Sequence, residues 1–278
     1  MISVTAIILT KNEEVNLPDC ISSLKNFAKR IVVIDSGSTV KTIEIAGLMG
    51  ADVYIHEFVT HAKQFNWALD NIGVDTKWIL RIDADERLTP ELVNELESIS
   101  SVHNTDDING VTLEAWLYFM GRKIKYGCPN KRKLMFFKYG FGYIEERNVD
   151  EHTLLKSGKA ISAKNRFIHY DFKNLDHWIG KLNWYASLEV KDYFEHQRKA
   201  TENMSDSVIQ KTRTKKYGIY YKLPMFFRCW LLFIYNYVFK LGFLDGKEGF
   251  VYNYMYHKWY RTLVDAKICE QYLLDNKE

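Results

Sequence analysis

Four short apolar runs, each closed by a polar residue and followed by a helix-forming segment, most constrain what this chain can fold into. Val4 to Leu9, Ile31 to Ile34, Val53 to Ile55 and Trp78 to Ile82 are nearly continuous apolar stretches, the pattern of strands buried on both faces. Between them lie amphipathic segments. Asn16 is placed to cap a helix with Pro18 in its first turn and Leu17, Ile21, Leu24 and Phe27 on its apolar face. Thr42 to Met49 and Ala62 to Leu69 read as the next two helices, and Thr89-Pro90-Glu91 is a capped start for a fourth. Strand and helix repeated in this order predict an α/β fold, a mostly parallel sheet flanked by helices.

Ligands of such sheets bind beyond the carboxyl ends of the strands. Thr10, Asp35 and Asp83 each stand at such an end. Farther along, Val111 to Tyr118 and Leu134 to Phe137 read as strands and Asn174 to Glu195 as a long helix. A polar, basic stretch without apolar period from Ala200 to Lys216 predicts a boundary between a catalytic domain, 1–200, and a C-terminal helical region, 201–278.

Asp83 and Asp85 alternate around Ala84, so in an extended segment both carboxylates face one point. Hard cations such as Mg2+ or Mn2+ take oxygen ligands and share them with substrate phosphates. An isolated Asp-x-Asp is a weak signal, because acidic surface turns are common. Here it follows a buried strand and precedes a capped helix, in line with the other strand ends. Asp35 can accept a hydrogen bond from a base ring N–H, or fold back onto its own turn. Thr10 and Glu13 line the same first turn, and Lys63 is a candidate phosphate contact.

Four segments carry a resemblance to a known family: Thr5-Ala6-Ile7-Ile8-Leu9-Thr10-Lys11-Asn12-Glu13-Glu14, Val33-Ile34-Asp35-Ser36-Gly37-Ser38-Thr39, Gln64-Phe65-Asn66-Trp67-Ala68-Leu69 and Arg81-Ile82-Asp83-Ala84-Asp85-Glu86. In order and spacing they resemble the family 2 glycosyltransferases of GT-A fold, in the bacterial branch that builds lipopolysaccharide core, O-antigen and capsule. The resemblance implies that Asp35 contacts the base, Asp83 lies near the ribose or donor sugar, and Asp85 binds the metal. It implies inversion, with a general base deprotonating the acceptor hydroxyl. Val149-Asp150-Glu151-His152 resembles the base motif, giving Glu151 as the base and Asp150 as the alternative. Cys128 to Leu134 resembles the basic segment near the acceptor, where Arg132 suits an acceptor phosphate. His169 is a further candidate ligand or diphosphate contact. The family's usual Asp after Ser-Thr is replaced by Val40, which removes an acid favoured near a helix N-terminus and is expected to weaken the enzyme without abolishing activity.

Composition enters at three points. The net charge of +3 gives no reason to expect nucleic acid as a partner. Cys20, Cys128, Cys229 and Cys269 have no zinc spacing and are expected as free thiols in a reducing cytoplasm. Met1 to Thr10 has neither basic leader nor cleavage site and reads as a strand, not a secretory signal. Aromatic residues crowd after Tyr217, and the charge-free run between Arg228 and Lys240 is too short to span a bilayer. Interleaved with basic residues, it predicts an interfacial helix on an anionic membrane surface. The expected protein is thus an inverting transferase using a UDP-sugar donor and a lipid-linked glycan acceptor, peripheral to the cytoplasmic face of the bacterial inner membrane. A nucleotidyltransferase would carry a Gly-rich basic phosphate loop, which Thr10 to Glu14 lacks, and a non-catalytic membrane scaffold is opposed by the intact acidic residues.

Overall fold

The computed structural model describes residues 2–38, 40–128, 132–146, 152–170, 172–198 and 217–275. The chain divides into two compact units, Met1–Leu117 with Asn130–Asp171, and Tyr118–Pro129 with Phe172–Glu278. The division falls between Asp171 and Phe172, whereas the polar stretch at 200–216 predicts a boundary some way later; residues 199–216 lie outside the described residues.

In the first unit, β1 (Ile2–Thr10), β2 (Ala28–Asp35), β3 (Asp52–Ile55) and β4 (Trp78–Asp83) are the four predicted strands, all mutually parallel in the order β3-β2-β1-β4. Helices α1 (Leu17–Leu24), α2 (Val40–Leu48) and α3 (His61–Asn71) connect them. After β4 come β5 (Glu86–Arg87), α4 (Pro90–Val102), β6 (Ile108–Phe119), β7 (Arg122–Ile124), β8 (Arg132–Lys138), β9 (Gly142–Ile144), β10 (Thr153–Leu155) and β11 (Lys159–His169). The sheet continues from β4 as β8-β6-β11-β5, with β8 antiparallel to both neighbours, β6 parallel to β11, and β5 antiparallel to β11. This is the GT-A, Rossmann-like arrangement, parallel in its N-terminal half and mixed beyond.

The strand period divides the core in two. Val4, Ala6 and Ile8 of β1 face a cluster completed by Leu17, Ile21 and Leu24 of α1 and Leu92 and Leu96 of α4. Ile7 and Leu9 face the opposite cluster with Ala62, Phe65, Ala68 and Leu69 of α3. Trp78 stacks on Phe136 at 4.6 Å between centroids, fixing β8 beside β4. Thr89 caps α4 as expected, its side chain accepting from the Leu92 N–H at 3.2 Å. Asn16 does not cap α1: its backbone is already helical, and its amide instead donates to Glu13 at 3.0 Å.

The second unit is helical apart from β7 and the last two residues of β6. It contains α5 (Leu175–Arg198), α6 (Phe227–Ile234) extended by a π-helical stretch (Tyr235–Phe239), a tight turn (Gly242–Asp245), and α7 (Gly246–Asn253) running through a second π-helical stretch (Tyr254–Trp259) into α8 (Tyr260–Asp275). Its centre is polar. Arg228 and Asp265, each 1% exposed, form an ion pair, and Asp265 also accepts the Phe226 N–H at 2.8 Å. Glu189 of α5 accepts from Tyr221, Tyr260 and Arg261 at 2.9, 2.7 and 2.7 Å. Buried charges grouped this tightly persist only when paired.

Candidate active site

Register alone aligns the strand ends. Thr10 is the partner of Asp35, and Leu9 is the partner of Asp83, so the ends of β2, β1 and β4 form one edge. Asp35 is fully buried. Its Oδ1 accepts the backbone N–H groups of Gly37 (2.9 Å) and Ser38 (2.7 Å), a turn that Gly37 permits with φ +86°. Among the described residues its Oδ2 has no hydrogen-bond partner, and neither has the buried Thr10 hydroxyl. The turn reading of Asp35 is what the structure shows: Oδ1 holds the loop, and Oδ2 is not used by it. A buried acceptor without a partner is costly, about 1–3 kcal/mol, unless a ligand supplies one.

The Asp83-Ala84-Asp85 segment turns from β4 into β5, and burial alternates along it: Ala84, Glu86 and Leu88 are buried, while Asp83, Asp85 and Arg87 are half-buried. Glu86 and Lys133 converge on Asp83. Its N–H donates to Glu86 Oε2 at 2.9 Å, and Lys133 Nζ lies 3.8 Å from Asp83 Oδ2 and 3.3 Å from Glu86 Oε1. Burial disfavours the Asp83 carboxylate, but Lys133 and Arg81 outweigh it and hold the group below the usual carboxylate range. Burial lifts Glu86 above that range, against the pull of Lys133. The adjacent Glu86 in turn raises the Lys133 ammonium, against burial.

Asp85 meets a different partner. The antiparallel pairing of β5 with β11 sets His169 opposite Glu86, and Tyr170 N–H donates to the Asp85 carbonyl at 2.8 Å. His169 Nε2 then lies 3.5 Å from Asp85 Oδ2. A carboxylate oxygen and an imidazole nitrogen at this separation are a donor pair suited to a divalent cation. Among the described residues no group of three or more His, Cys, Asp and Glu side chains is arranged to hold a metal, so substrate oxygens would have to complete the shell.

The other candidates fall at varying distances from this edge. Glu13 accepts from Asn16 at the start of α1. Lys63 stands exposed in the first turn of α3, its N–H donating to the capping Thr60 at 3.1 Å, and His61 of that turn is close enough to stabilise the Asp83 charge. Arg132 is paired with Glu114, which also binds Arg166 at 2.6 Å. Asp150 and Glu151 lie outside the described residues, as does Thr39. The two strands that flank 147–151 are anchored: Asn66 exchanges hydrogen bonds with Ile144 at 2.8 and 2.9 Å, and Arg81 donates to Thr153 at 3.1 Å. Helix α2 begins at Val40 with no acidic residue in its first turn. All four cysteines are free, and burial pushes the Cys20 thiol well above its ordinary value.

Lys133 and Glu86 both lie in segments that carry the family resemblance, yet neither stands out there as a site residue. The alternation Arg132-Lys133-Leu134 holds the only signal, because neighbouring strand residues face opposite sides: Arg132 goes to Glu114 and Lys133 to the acidic turn.

Several known proteins are similar to this chain. A glycosyltransferase of Rickettsia typhi is 28% identical over 208 residues, 72% of this chain and 70% of its own length. The lipopolysaccharide core biosynthesis glycosyltransferase LpsC of Rhizobium meliloti is 26% identical over 266 residues, 90% of this chain and 89% of its own. Among solved structures, glucosyl-3-phosphoglycerate synthase from Mycobacterium tuberculosis, in complex with Mn2+, UDP and glucosyl-3-phosphoglycerate, matches with a TM-score of 0.35 and 19% identity over 42% of this chain and 44% of that one. Residues 5–149, just over half of the chain, match the family described as Glycosyl transferase family 2, and the chain belongs to that family.

Proposed function

We propose that the protein is an inverting hexosyltransferase that moves a sugar from a UDP-sugar to a lipid-linked glycan or lipopolysaccharide acceptor, peripheral to the cytoplasmic face of a bacterial inner membrane. The observation that supports the donor assignment is that the Oδ2 of fully buried Asp35 and the hydroxyl of its strand partner Thr10 have no hydrogen-bond partner among the described residues. The imide N–H of uracil is a single donor of the kind that oxygen lacks.

From the base outward, the roles follow the edge. Asp83, kept charged by Lys133 and Arg81, accepts hydroxyls of the ribose or donor sugar. Asp85 and His169 hold Mg2+ or Mn2+, which when bound neutralises the diphosphate leaving group. Lys63 on α3 contacts the diphosphate, and Glu13 supports the first turn through Asn16. Glu151, with Asp150 as the alternative, takes the proton of the acceptor hydroxyl as that oxygen attacks the anomeric carbon from the face opposite the diphosphate. The family motif supports this base, as does the anchoring of its flanking strands to Asn66 and Arg81. Arg132, beside Glu114, is proposed to receive an acceptor phosphate. Similarity to LpsC over most of both chains supports a lipopolysaccharide acceptor.

A panel of nucleotide sugars assayed with Mn2+ and extracted bacterial lipid acceptors, read by product mass and by the anomeric configuration of the new bond, tests the whole reading. A retained configuration would defeat the inverting mechanism. Full turnover by Glu151→Gln and Asp150→Asn together would remove the base assignment.

A further inference from the structure

Helix α6 and its extension turn apolar residues outward. A helix on the surface of a soluble protein buries its apolar residues and exposes its polar ones. Here the exposed positions recur in pairs every four residues: Phe226 and Phe227, Trp230 and Leu231, Ile234 and Tyr235, Val238 and Phe239. All are apolar or aromatic, and Phe239 is 73% exposed. The side turned inward holds Arg228, bonded to Asp265, and half-buried Asn236, along with Cys229, Leu232, Phe233 and Tyr237, so the helix is apolar on both sides and its polar anchors are the buried ones. A spacing of four drifts around an α-helix of 3.6 residues per turn; the wider π-helical turns at Tyr235–Phe239, closed by Lys240 N–H to Tyr235 O at 2.9 Å, keep the stripe on one side.

The stripe continues past the bend. Leu241, Phe243, Leu244 and Phe250 are exposed, and the rings of Phe243 and Phe250 lie 6.3 and 5.6 Å from that of Tyr237. Scattered apolar residues on a surface need no account, but a contiguous aromatic face marks a place of contact.

Charge identifies the partner. From Tyr217 to Trp259 the acidic residues are Asp245 and Glu248. Asp245 is buried under the N–H groups of Lys125 and Tyr126, and Glu248 is largely covered and paired with Arg122. The exposed charges of this segment are Lys222, Lys240 and Lys247, with half-buried Lys258 held 3.6 Å from the Trp230 ring centroid. Aromatic residues rimmed by lysines match the headgroup layer of an anionic bilayer, where the rings enter the acyl boundary and the ammonium groups meet phosphate. Among the described residues no single helix is long and apolar enough to cross a membrane; Phe227–Phe239 and Gly242–Asp275 qualify only as a pair bent by 70°.

We infer that the stripe from Phe226 to Phe250 is a lipid-docking wedge that seats this unit on an anionic phospholipid surface. Co-sedimentation of the full chain with vesicles of phosphatidylglycerol and phosphatidylcholine tests it. The protein pellets with these vesicles and much less with phosphatidylcholine alone. Phe227→Ser, Trp230→Ser and Phe239→Ser together weaken partitioning by roughly a hundredfold or more. Lys240→Gln and Lys247→Gln weaken it about fivefold each, a readout that survives if the serine variant misfolds by circular dichroism. Trp184→Ser, an exposed aromatic on α5, leaves binding unchanged. Wild-type protein that stays in the supernatant with both vesicles would overturn the inference. So would a wild-type dimer in light scattering that the serine variant alone converts to monomer, which would assign the stripe to a second copy. This docking role rests on the proposed peripheral location and gives it a surface; because vesicle binding is read without donor or acceptor, its failure removes that location and leaves the sugar-transfer chemistry standing.

Discussion

Helices α3 and α6 present opposite sides of the same kind of amphipathic pattern. In α3, Ala62, Phe65, Ala68 and Leu69 are buried while His61, Lys63 and Asp70 are exposed. In α6, Arg228 and Cys229 are buried while Phe227, Trp230, Leu231 and Ile234 are exposed. The first helix is held by area removed from water, the second by a buried ion pair and a cluster of tyrosines around Glu189. The difference separates a unit with an almost wholly apolar interior from one in which paired charges are buried among apolar residues such as Trp178, Ala186, Val264 and Ile268.

The sharpest way to break that comparison is to unpair the helical unit. Asp265→Ala leaves the Arg228 guanidinium buried without its partner and is expected to cost about 3–5 kcal/mol, seen as a separate early transition in denaturant unfolding. A single transition shifted by under 1 kcal/mol would mean that the pair matters little. In the first unit the largest effect falls on chemistry. Asp85→Ala should lower kcat roughly 10²–10³-fold, about 3–4 kcal/mol, with near-normal melting, because the side chain meets His169 at the rim and not the core. Unchanged turnover would remove Asp85 from the reaction.

Acid separates the two units further. His257 is buried, its Nε2–H donating to the Gly127 carbonyl at 2.8 Å, and burial pushes its pKa down to about 4. A folded-state pKa below the unfolded value near 6.5 means that the unfolded chain takes up the proton first. Stability is full above about pH 6.5 and falls by about 1.4 kcal/mol per pH unit down to about pH 4, a total of roughly 3 kcal/mol. Unfolding of the helical unit followed across this range should show the slope, and His257→Gln should flatten it.

Smaller effects probe the donor edge. Asp35→Asn keeps an oxygen for the Gly37 and Ser38 N–H groups but loses the free acceptor. UDP binding measured by calorimetry should weaken by about 1–3 kcal/mol while melting changes little. Equal losses in both would make Asp35 a turn residue only. Val40→Asp restores an acid to the first turn of α2 and should gain about 0.3–1 kcal/mol of stability along with tighter donor binding. No gain in either would show that the missing acid is of no consequence.

Much of the edge formed by the strand ends is legible in the sequence. Apolar runs ending at Thr10, Asp35 and Asp83 must place those residues side by side once the strands are parallel, and the observed register does so. His169 is legible only as a motif. Nothing local marks Lys159–His169 as a strand beside Glu86–Arg87, because β5 is two residues long and its pairing is decided by distant chain. Lys133 is hidden in a basic run in which only strand alternation sorts one residue from the next.

What the sequence determined by itself is the α/β order, the polar strand ends, the capped α4 and the acidic turn, all consequences of periodicity and neighbours within a few residues. Tertiary structure alone decided that His169 meets Asp85, that Lys133 lies between Asp83 and Glu86, and which residues of the aromatic run in α6 face outward. Each of these depends on groups brought together from far along the chain. The last is set by Asp265, thirty-seven residues after Arg228, because a guanidinium can be buried only where a carboxylate is already waiting.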